Sequence, residues 1–302
     1  MKTSAITILD GGLGRELARR GAPFRQPEWS ALVLTEAPDT VRDIHRDFIE
    51  AGAEVITTNS YAVVPFHIGS RFETEGLALA QTAARLAREA ADASGKAVRV
   101  AASLPPLFGS YRPDLFQPDQ AAAIARPLID GQAPYADLWL AETVSSIAEA
   151  RAWRELLPAD GKPFWLAFTL ADDEQAEPSL RSGETVAQAV RVAAELGAAA
   201  VLFNCSVPEV MLAAVKQAAA VLAGRTEPLQ IGVYANAFDP EDTETAANEG
   251  LSAVRQDTTP AYYLTLAQSW CAAGASIVGG CCGIGPEHIR ALAEALNGSN
   301  HQ

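Results

Sequence analysis

Along the chain, short runs rich in β-branched and aromatic residues alternate with longer stretches in which apolar positions recur at helical spacing. The short runs predict strands at Ile6–Leu9, Glu54–Thr58, Val98–Ser103, Leu138–Ala141, Phe164–Phe168, Ala200–Phe203, Leu229–Tyr234 and Ser276–Val278. Between them the periodicity predicts helices such as Asp39–Ala51, Thr74–Ala93, Gln120–Gln132, Val144–Leu156, Glu184–Leu196, Pro208–Leu222, Pro260–Ala273 and Pro286–Leu296. Thr259 and Gly285 each precede a proline at the first helical position. Gly52, Gly95, Gly197 and Gly274 stand just past helix ends, where a left-handed residue is wanted. The strands are nearly continuous apolar runs rather than alternating ones, as in parallel sheets covered on both faces. Eight strands alternating with helices predict a (β/α)8 TIM barrel, with an open doubly wound sheet as the alternative.

No segment looks like a domain linker. The whole chain, 1–302, reads as one domain with its core at about 5–296, close to the roughly 250 residues of a typical barrel. Asp172–Arg181 reads as a polar loop and Asn297–Gln302 as a frayed tail. The net charge of −14 is unsuited to nucleic acid or an anionic membrane surface, both of which need clustered Lys and Arg. No run of about 18 apolar residues suggests a membrane span, and the first residues lack the apolar stretch of a signal peptide. These features together predict a cytoplasmic protein, in which four cysteines are better suited to metal binding or chemistry than to disulfides.

In such barrels the active site lies at the C-terminal ends of the strands. The predicted strand ends carry Asp10-Gly11-Gly12, Thr58-Asn59-Ser60-Tyr61, Ser103, Glu142-Thr143, Thr169, Asn204-Cys205, Tyr234 with Asn236, and Gly279-Gly280-Cys281-Cys282-Gly283. Three of the four cysteines therefore fall at one rim. Neighbouring residues of a strand point to opposite faces, but the glycines around Cys281 and Cys282 permit dihedrals that could turn both thiols to one centre. Cys205 comes from another even-numbered strand and could reach them. Three thiolates without an obvious fourth protein ligand suggest a catalytic zinc site. A vicinal Cys281–Cys282 disulfide, or two small buried residues, is the plainer reading. Cys271 reads as an inert helix residue. Asp10-Gly11-Gly12-Leu13-Gly14 lacks the third glycine of a dinucleotide loop, since Leu17 stands there, and no P-loop lysine follows. Asp10 could simply cap the next helix, and Glu142 could be an ion-pair partner at the rim. His45 reads as a surface residue between Arg42 and Arg46. His288 reads as a capping or packing residue of the last helix, with support of the nearby Cys281-Cys282 loop as the alternative. His45, His67, His288 and His301 do not gather at strand ends, which disfavours a zinc hydrolase with histidine ligands.

The segments LDGGLGREL (Leu9–Leu17), VITTNSY (Val55–Tyr61), LAETVSS (Leu140–Ser146), FNCSVPE (Phe203–Glu209) and VGGCCGIGPEHI (Val278–Ile289) closely resemble those of the homocysteine S-methyltransferases. The resemblance spans residues 9 to 289 and implies a (β/α)8 barrel with Zn2+ held by Cys205, Cys281 and Cys282. It implies that Asp10 and Glu142 bind the amino group of homocysteine and that backbone amides take its carboxylate. Gly11, Asn59, Ser103 and Asn236 complete the expected substrate-binding set. The expected reaction is methyl transfer from a small onium donor to the thiol of homocysteine or selenohomocysteine, giving methionine. The compact length is similar to the S-methylmethionine-using branch, with betaine, dimethylsulfoniopropionate or S-adenosylmethionine as alternative donors. Separate folate and cobalamin modules have no room in 302 residues. Tyr61, Phe108, Tyr111 and Tyr234 are candidate walls for an onium methyl group. The loops Ser103–Phe116 and Val233–Asp242 depart from the family pattern, so the donor is the open question. A zinc or redox sensor barrel is the non-enzymatic alternative, and a homo-oligomer is compatible with the sequence.

Overall fold

The computed structural model describes residues 6–225, 229–239 and 253–298. The elements run β1 (Thr7–Ile8), α1 (Leu13–Arg19), α2 (Val33–Glu36), α3 (Pro38–Ala51), β2 (Val55–Thr57), α4 (Pro65–Ile68), α5 (Arg71–Ala93) and β3 (Arg99–Leu104). There follow α6 (Pro118–Gln132), β4 (Leu138–Val144), α7 (Ile147–Leu156), β5 (Phe164–Phe168), α8 (Val186–Glu195), β6 (Ala200–Asn204), α9 (Pro208–Leu222), β7 (Gln230–Tyr234), α10 (Pro260–Ala273), β8 (Ile277–Val278) and α11 (Pro286–Asn297). All ladders between neighbouring strands are parallel, in the order β1-β8-β7-β6-β5-β4-β3-β2. The two ends of that order meet: Glu54 N donates to Ile8 O at 2.8 Å and Asp10 N to Val55 O at 3.0 Å. The sheet is therefore a closed (β/α)8 barrel and not an open doubly wound one.

The expected glycines and caps do their predicted work. Gly52, Gly95, Gly197 and Gly274 all have positive φ, which spares the Cβ penalty of a left-handed turn. Thr259 caps α10 by accepting from Tyr262 N at 3.3 Å. Inside the barrel, Leu9, Val55, Leu138, Leu140, Leu202 and Ile277 pack around Trp165, which small neighbours (Ala101, Ala167, Ala200) leave room for. Arg99 stacks on the Trp165 ring at 5.2 Å, covering the end of the barrel away from the site. A second, larger apolar layer joins the strands' outer faces to the helices.

Several local expectations change. Asn297 belongs to α11 and donates from Nδ2 to Ile6 O at 2.9 Å; the rest of the expected tail, beyond Gly298, lies outside the described residues. The 172–181 loop is polar in composition but encloses a buried ion pair, Asp172 with Arg181 at 2.9 Å. His45 is not a surface residue. It is fully buried on the inner face of α3, while Arg42 and Arg46 turn outward to pair with carboxylates. Neither ring nitrogen has a hydrogen-bond partner among the described residues, and burial lowers its pKa to about 4. The unfolded chain therefore takes up a proton that the folded chain refuses. Stability should fall as pH drops from about 6.5 towards 4, by up to about 3 kcal/mol from this residue alone. His45→Leu should flatten that slope in urea unfolding measured at pH 7 and pH 4.5; an unchanged slope would contradict the assignment.

Candidate active site

At the C-terminal rim of the strands a cavity of about 410 Å3 is lined by Asp10, Gly11, Asn59, Tyr61, Glu142, Cys205, Cys281 and Cys282, among others. The Asp10 carboxylate does not cap α1, whose N-cap is Gly12 with no side-chain bond. It reaches across the barrel seam instead, accepting from Thr57 N at 2.7 Å and from Thr57 Oγ1 at 3.0 Å. Gly11 and Gly12 are needed here by close approach. A Cβ on Gly11 would stand 2.2 Å from Ile284 O, and one on Gly12 2.5 Å from Cys281 O. The loop after β1 thus lies directly on the cysteine loop after β8.

Glu142 projects inward from an irregularity in β4, where the register to β5 shifts between Ala141 and Val144. Its Oε1 accepts from the Ser103 hydroxyl and its Oε2 from Tyr234 Oη at 3.2 Å. No ion pair involves it among the described residues. Burial raises Glu142 to about 7, against the pull of Ser103 and Tyr234. Burial also raises Asp10 to about 8, opposed by its bonds to Thr57 and reinforced by the charge of Glu142. Two buried carboxylates with raised pKa values, neither paired with a cationic side chain among the described residues, face one cavity, an arrangement suited to a cationic group.

The three cysteine sulfurs lie within 4.8 Å of one another. That bound admits the separation of about 3.8 Å that tetrahedral geometry demands for metal–sulfur bonds of about 2.3 Å. All four described cysteines are free thiols, so the vicinal disulfide is not present. The sulfurs hydrogen-bond one another. For Cys281 those bonds, then burial, raise the pKa well above that of an ordinary thiol. For Cys205 the bond to Cys281 lowers it, but Cys282 and burial outweigh that and the net shift is upward. A soft divalent cation is the group that three clustered sulfur donors fit. Of the flanking glycines only Gly283 has a positive φ (84°); Gly279 and Gly280 are required because a Cβ would strike Leu9 at 2.4 Å and Ile284 at 2.1 Å.

The other rim residues sort into wall and support. Asn59 lines the cavity and is held by its Nδ2 donating to Ser30 O at 2.9 Å. Ser103 lies behind Glu142, off the cavity wall, with its N–H donating to Thr58 Oγ1 at 2.9 Å. Asn236 is also off the wall and accepts from Phe238 N at 3.2 Å. Of the candidate aromatics, Tyr61, Tyr111 and Tyr234 reach the cavity, whereas Phe108 packs edge-on against Phe116 with centroids 5.9 Å apart. Cys271 lies on α10, away from the cavity, and burial raises its thiol to about 11. His288 turns back on its own helix, accepting from Gly285 N at 3.2 Å while Nε2 donates to Thr258 O at 2.9 Å. His67, by contrast, does border the cavity.

Sequence reasoning missed Phe24, Trp29, Phe238 and Arg15 on the wall. It also missed the role of Asn204. The Asn204 side chain accepts from Thr143 N at 3.0 Å and donates to Thr143 Oγ1 at 2.8 Å. This two-point clamp ties the carboxylate-bearing end of β4 to the cysteine-bearing end of β6. Thr143 and Cys205 both have positive φ (57° and 50°), as do Trp29 (47°) and Tyr111 (64°). These are all of the non-glycine residues with positive φ among the described residues, and each lines this one cavity. Strained backbone concentrated in this way marks a functional site.

The homocysteine S-methyltransferase family model matches residues 7–296. The chain belongs to the homocysteine S-methyltransferase family. It is similar to the homocysteine S-methyltransferase of Escherichia coli K12, 32% identical with 95% of this chain and 94% of the relative covered. It is 31% identical to homocysteine S-methyltransferase 4 of Zea mays, with 98% and 90% covered. Among solved structures, the metallated form of the E. coli homocysteine methyltransferase MmuM superposes with a TM-score of 0.78 at 29% identity, covering 96% of both chains.

The Asn204 clamp generates a direct test. Asn204→Ala leaves the buried Thr143 N–H without its acceptor and should cost about 2–3 kcal/mol in denaturant unfolding. A cost below about 0.5 kcal/mol would show that the clamp is dispensable.

Proposed function

We propose that this protein transfers a methyl group from a small onium donor, foremost S-methylmethionine, to the thiol of L-homocysteine in a zinc-dependent reaction. The observation that carries the reading is the meeting, in one cavity, of three cysteine sulfurs with two buried carboxylates that no cationic side chain pairs among the described residues. The sulfur cluster suits the acceptor's thiol end, and Asp10 with Glu142 suits its ammonium. Backbone amides at the mouth, beside Gly11 and Asn59, take the carboxylate.

Cys205, Cys281 and Cys282 would hold the zinc, whose chemistry when bound is to stabilise the thiolate form of the homocysteine sulfur at neutral pH. The protein's own part is binding and alignment. Ser103 and Tyr234 fix the Glu142 carboxylate, Thr57 fixes that of Asp10, and together they set the direction in which the homocysteine side chain extends. The donor stands against an aromatic wall of Trp29, Tyr61, Tyr111 and Tyr234 that excludes water; the rings of Trp29, Tyr61 and Tyr234 attract an onium methyl group, while Tyr111 already carries the Arg181 guanidinium over one face. Arg15, stacked on Phe238 at 5.0 Å on the same wall, favours donors that carry a carboxylate. The homocysteine sulfur forms its bond to the methyl carbon as the donor's bond to that carbon breaks. The electron pair stays with the donor, which leaves as a neutral thioether. No proton moves on the methyl group, so alignment is the main lever on the rate.

Zinc-loaded protein incubated with homocysteine and S-methylmethionine, dimethylsulfoniopropionate, S-adenosylmethionine or betaine should yield methionine, most rapidly with S-methylmethionine. No methionine with any donor would favour a zinc-sensing barrel instead. Cys281→Ala should lose the metal on dialysis and lower kcat/KM by more than about 100-fold, since it removes a ligand itself and not merely a ligand's support. Unimpaired activity in zinc-free Cys281→Ala protein would overturn the zinc reading.

A pH test addresses the carboxylates. At pH 6 both carboxyls largely hold their protons and must release them to meet an ammonium ion, whereas at pH 8 Glu142 is mostly ionised and Asp10 about half so. Their raised pKa values also mean that the empty fold loses stability as pH rises from about 4 towards 8, a loss that a bound ammonium offsets. Norleucine has the ammonium and carboxylate of the acceptor but no thiol. It should bind the metal-free protein at least about tenfold more tightly at pH 8 than at pH 6, with proton release seen by calorimetry in two buffers. Equal affinity at the two pH values would remove the carboxylates from this role.

A further inference from the structure

A donor reactive enough to methylate one thiolate at this site is reactive towards the three that belong to the protein, so the cavity needs a means of sparing its own cysteines. Cys205 lines the cavity together with Tyr61, Tyr111 and Tyr234. Of these, Tyr111 makes direct contact: its Oη is 3.0 Å from Cys205 Sγ and 3.3 Å from the carbonyl oxygen of the same residue.

The placement of that phenol is built with care. Tyr111 itself has positive φ (64°) and follows Gly109, also at positive φ (130°). The preceding Ser110 is anchored by a 2.6 Å hydrogen bond between its Oγ and Tyr61 Oη. The guanidinium of Arg181 stacks on the Tyr111 ring at 4.2 Å and donates from Nε to Thr169 Oγ1 at 3.2 Å. Arg181 is paired in turn with Asp172, both side chains being 4% exposed or less, and Asp172 also accepts from Val207 N at 2.9 Å. A cation over the ring draws electron density from it and makes the O–H a stronger hydrogen-bond donor. A chain of contacts thus runs from the β5 loop through Arg181 and Tyr111 to the Cys205 sulfur.

We propose that Tyr111, held and polarised by Arg181, is a positioning residue that keeps Cys205 from being methylated by the enzyme's own donor. A hydrogen bond to a thiolate occupies one of its lone pairs and lowers its nucleophilicity, leaving the homocysteine sulfur as the preferred acceptor. This inference rests on the onium-donor reading above. The side reaction it prevents is balanced in itself. The Cys205 sulfur bonds the methyl carbon, the donor's carbon–sulfur bond breaks with its electron pair retained by the donor, and the products are S-methylcysteine and a neutral thioether.

Tyr111→Phe tests this, because it removes the hydroxyl and keeps the ring against the donor. Zinc-loaded wild-type and variant protein are incubated with S-methylmethionine without homocysteine, digested, and the Cys205 peptide is weighed by mass spectrometry. In parallel, methyl iodide serves as a small methylating probe that does not depend on the enzyme's choice of donor. Tyr111→Phe should gain one methyl group on Cys205 at least about tenfold faster than wild type, with activity decaying in step. The double variant Asp172→Asn with Arg181→Met, which removes the buried pair together, should raise the rate in the same direction while Tyr111 is retained. Equal rates on Cys205 in wild type and Tyr111→Phe with both reagents, or an excess confined to Cys281 and Cys282, would overturn the proposal. Failure of the functional reading would show separately, as an absence of methionine formation by the wild type, while the methyl iodide comparison would still report on Cys205.

Discussion

Closure of the barrel between β1 and β2 is the constraint on which the rest of the site depends. The ladder of β1 is only two residues long, and the seam is completed by backbone bonds from Glu54 and Asp10 and by the Asp10 carboxylate on Thr57. Were the seam open, β1 and β2 would be the edges of a sheet and Asp10 would face solvent. Closed, it brings Asp10 opposite Glu142 of β4 and beside the cysteine loop after β8. Asp10 is thus both a fastener of the fold and a wall of the cavity, and the burial that closes the seam is also what raises its pKa.

Much of this was legible in the sequence. Apolar runs showed the buried parallel strands, glycines marked the helix ends, and the barrel rule turned strand ends into a list of site candidates. Asp10, Glu142, Cys205, Cys281 and Cys282 do meet at one cavity. Ser103 and Asn236 sit at the right height but off the cavity wall, Ser103 donating to Glu142 and Asn236 accepting from Phe238 N, because height along the barrel does not say whether a side chain reaches the cavity or supports a neighbour that does. His45 was misread because its flanking arginines suggested a solvated face, whereas α3 presents position 45 to the core with Val41, Ile44 and Phe48.

What the sequence could not disclose is mostly backbone strain and long-range support. Positive φ at Trp29, Tyr111, Thr143 and Cys205 is imposed by tertiary contacts, and no propensity favours it at a β-branched or aromatic residue. The Asn204 clamp and the Arg181–Tyr111 stack join residues far apart in the chain. Arg181 in particular lay within an apparently polar loop, where composition points to solvent and not to a buried ion pair.

The pairing of β1 with β8 also has a consequence for synthesis. A chain emerging from the ribosome presents Asp10 early, Cys205 much later and the Cys281–Cys282 pair near the end. Contacts so distant in sequence are slow to form, and none of the half-made barrels contains the three-sulfur cluster. The three-sulfur cluster is therefore complete only once the loop after β8 has joined the barrel, and a chain that stops short of Cys281 lacks it.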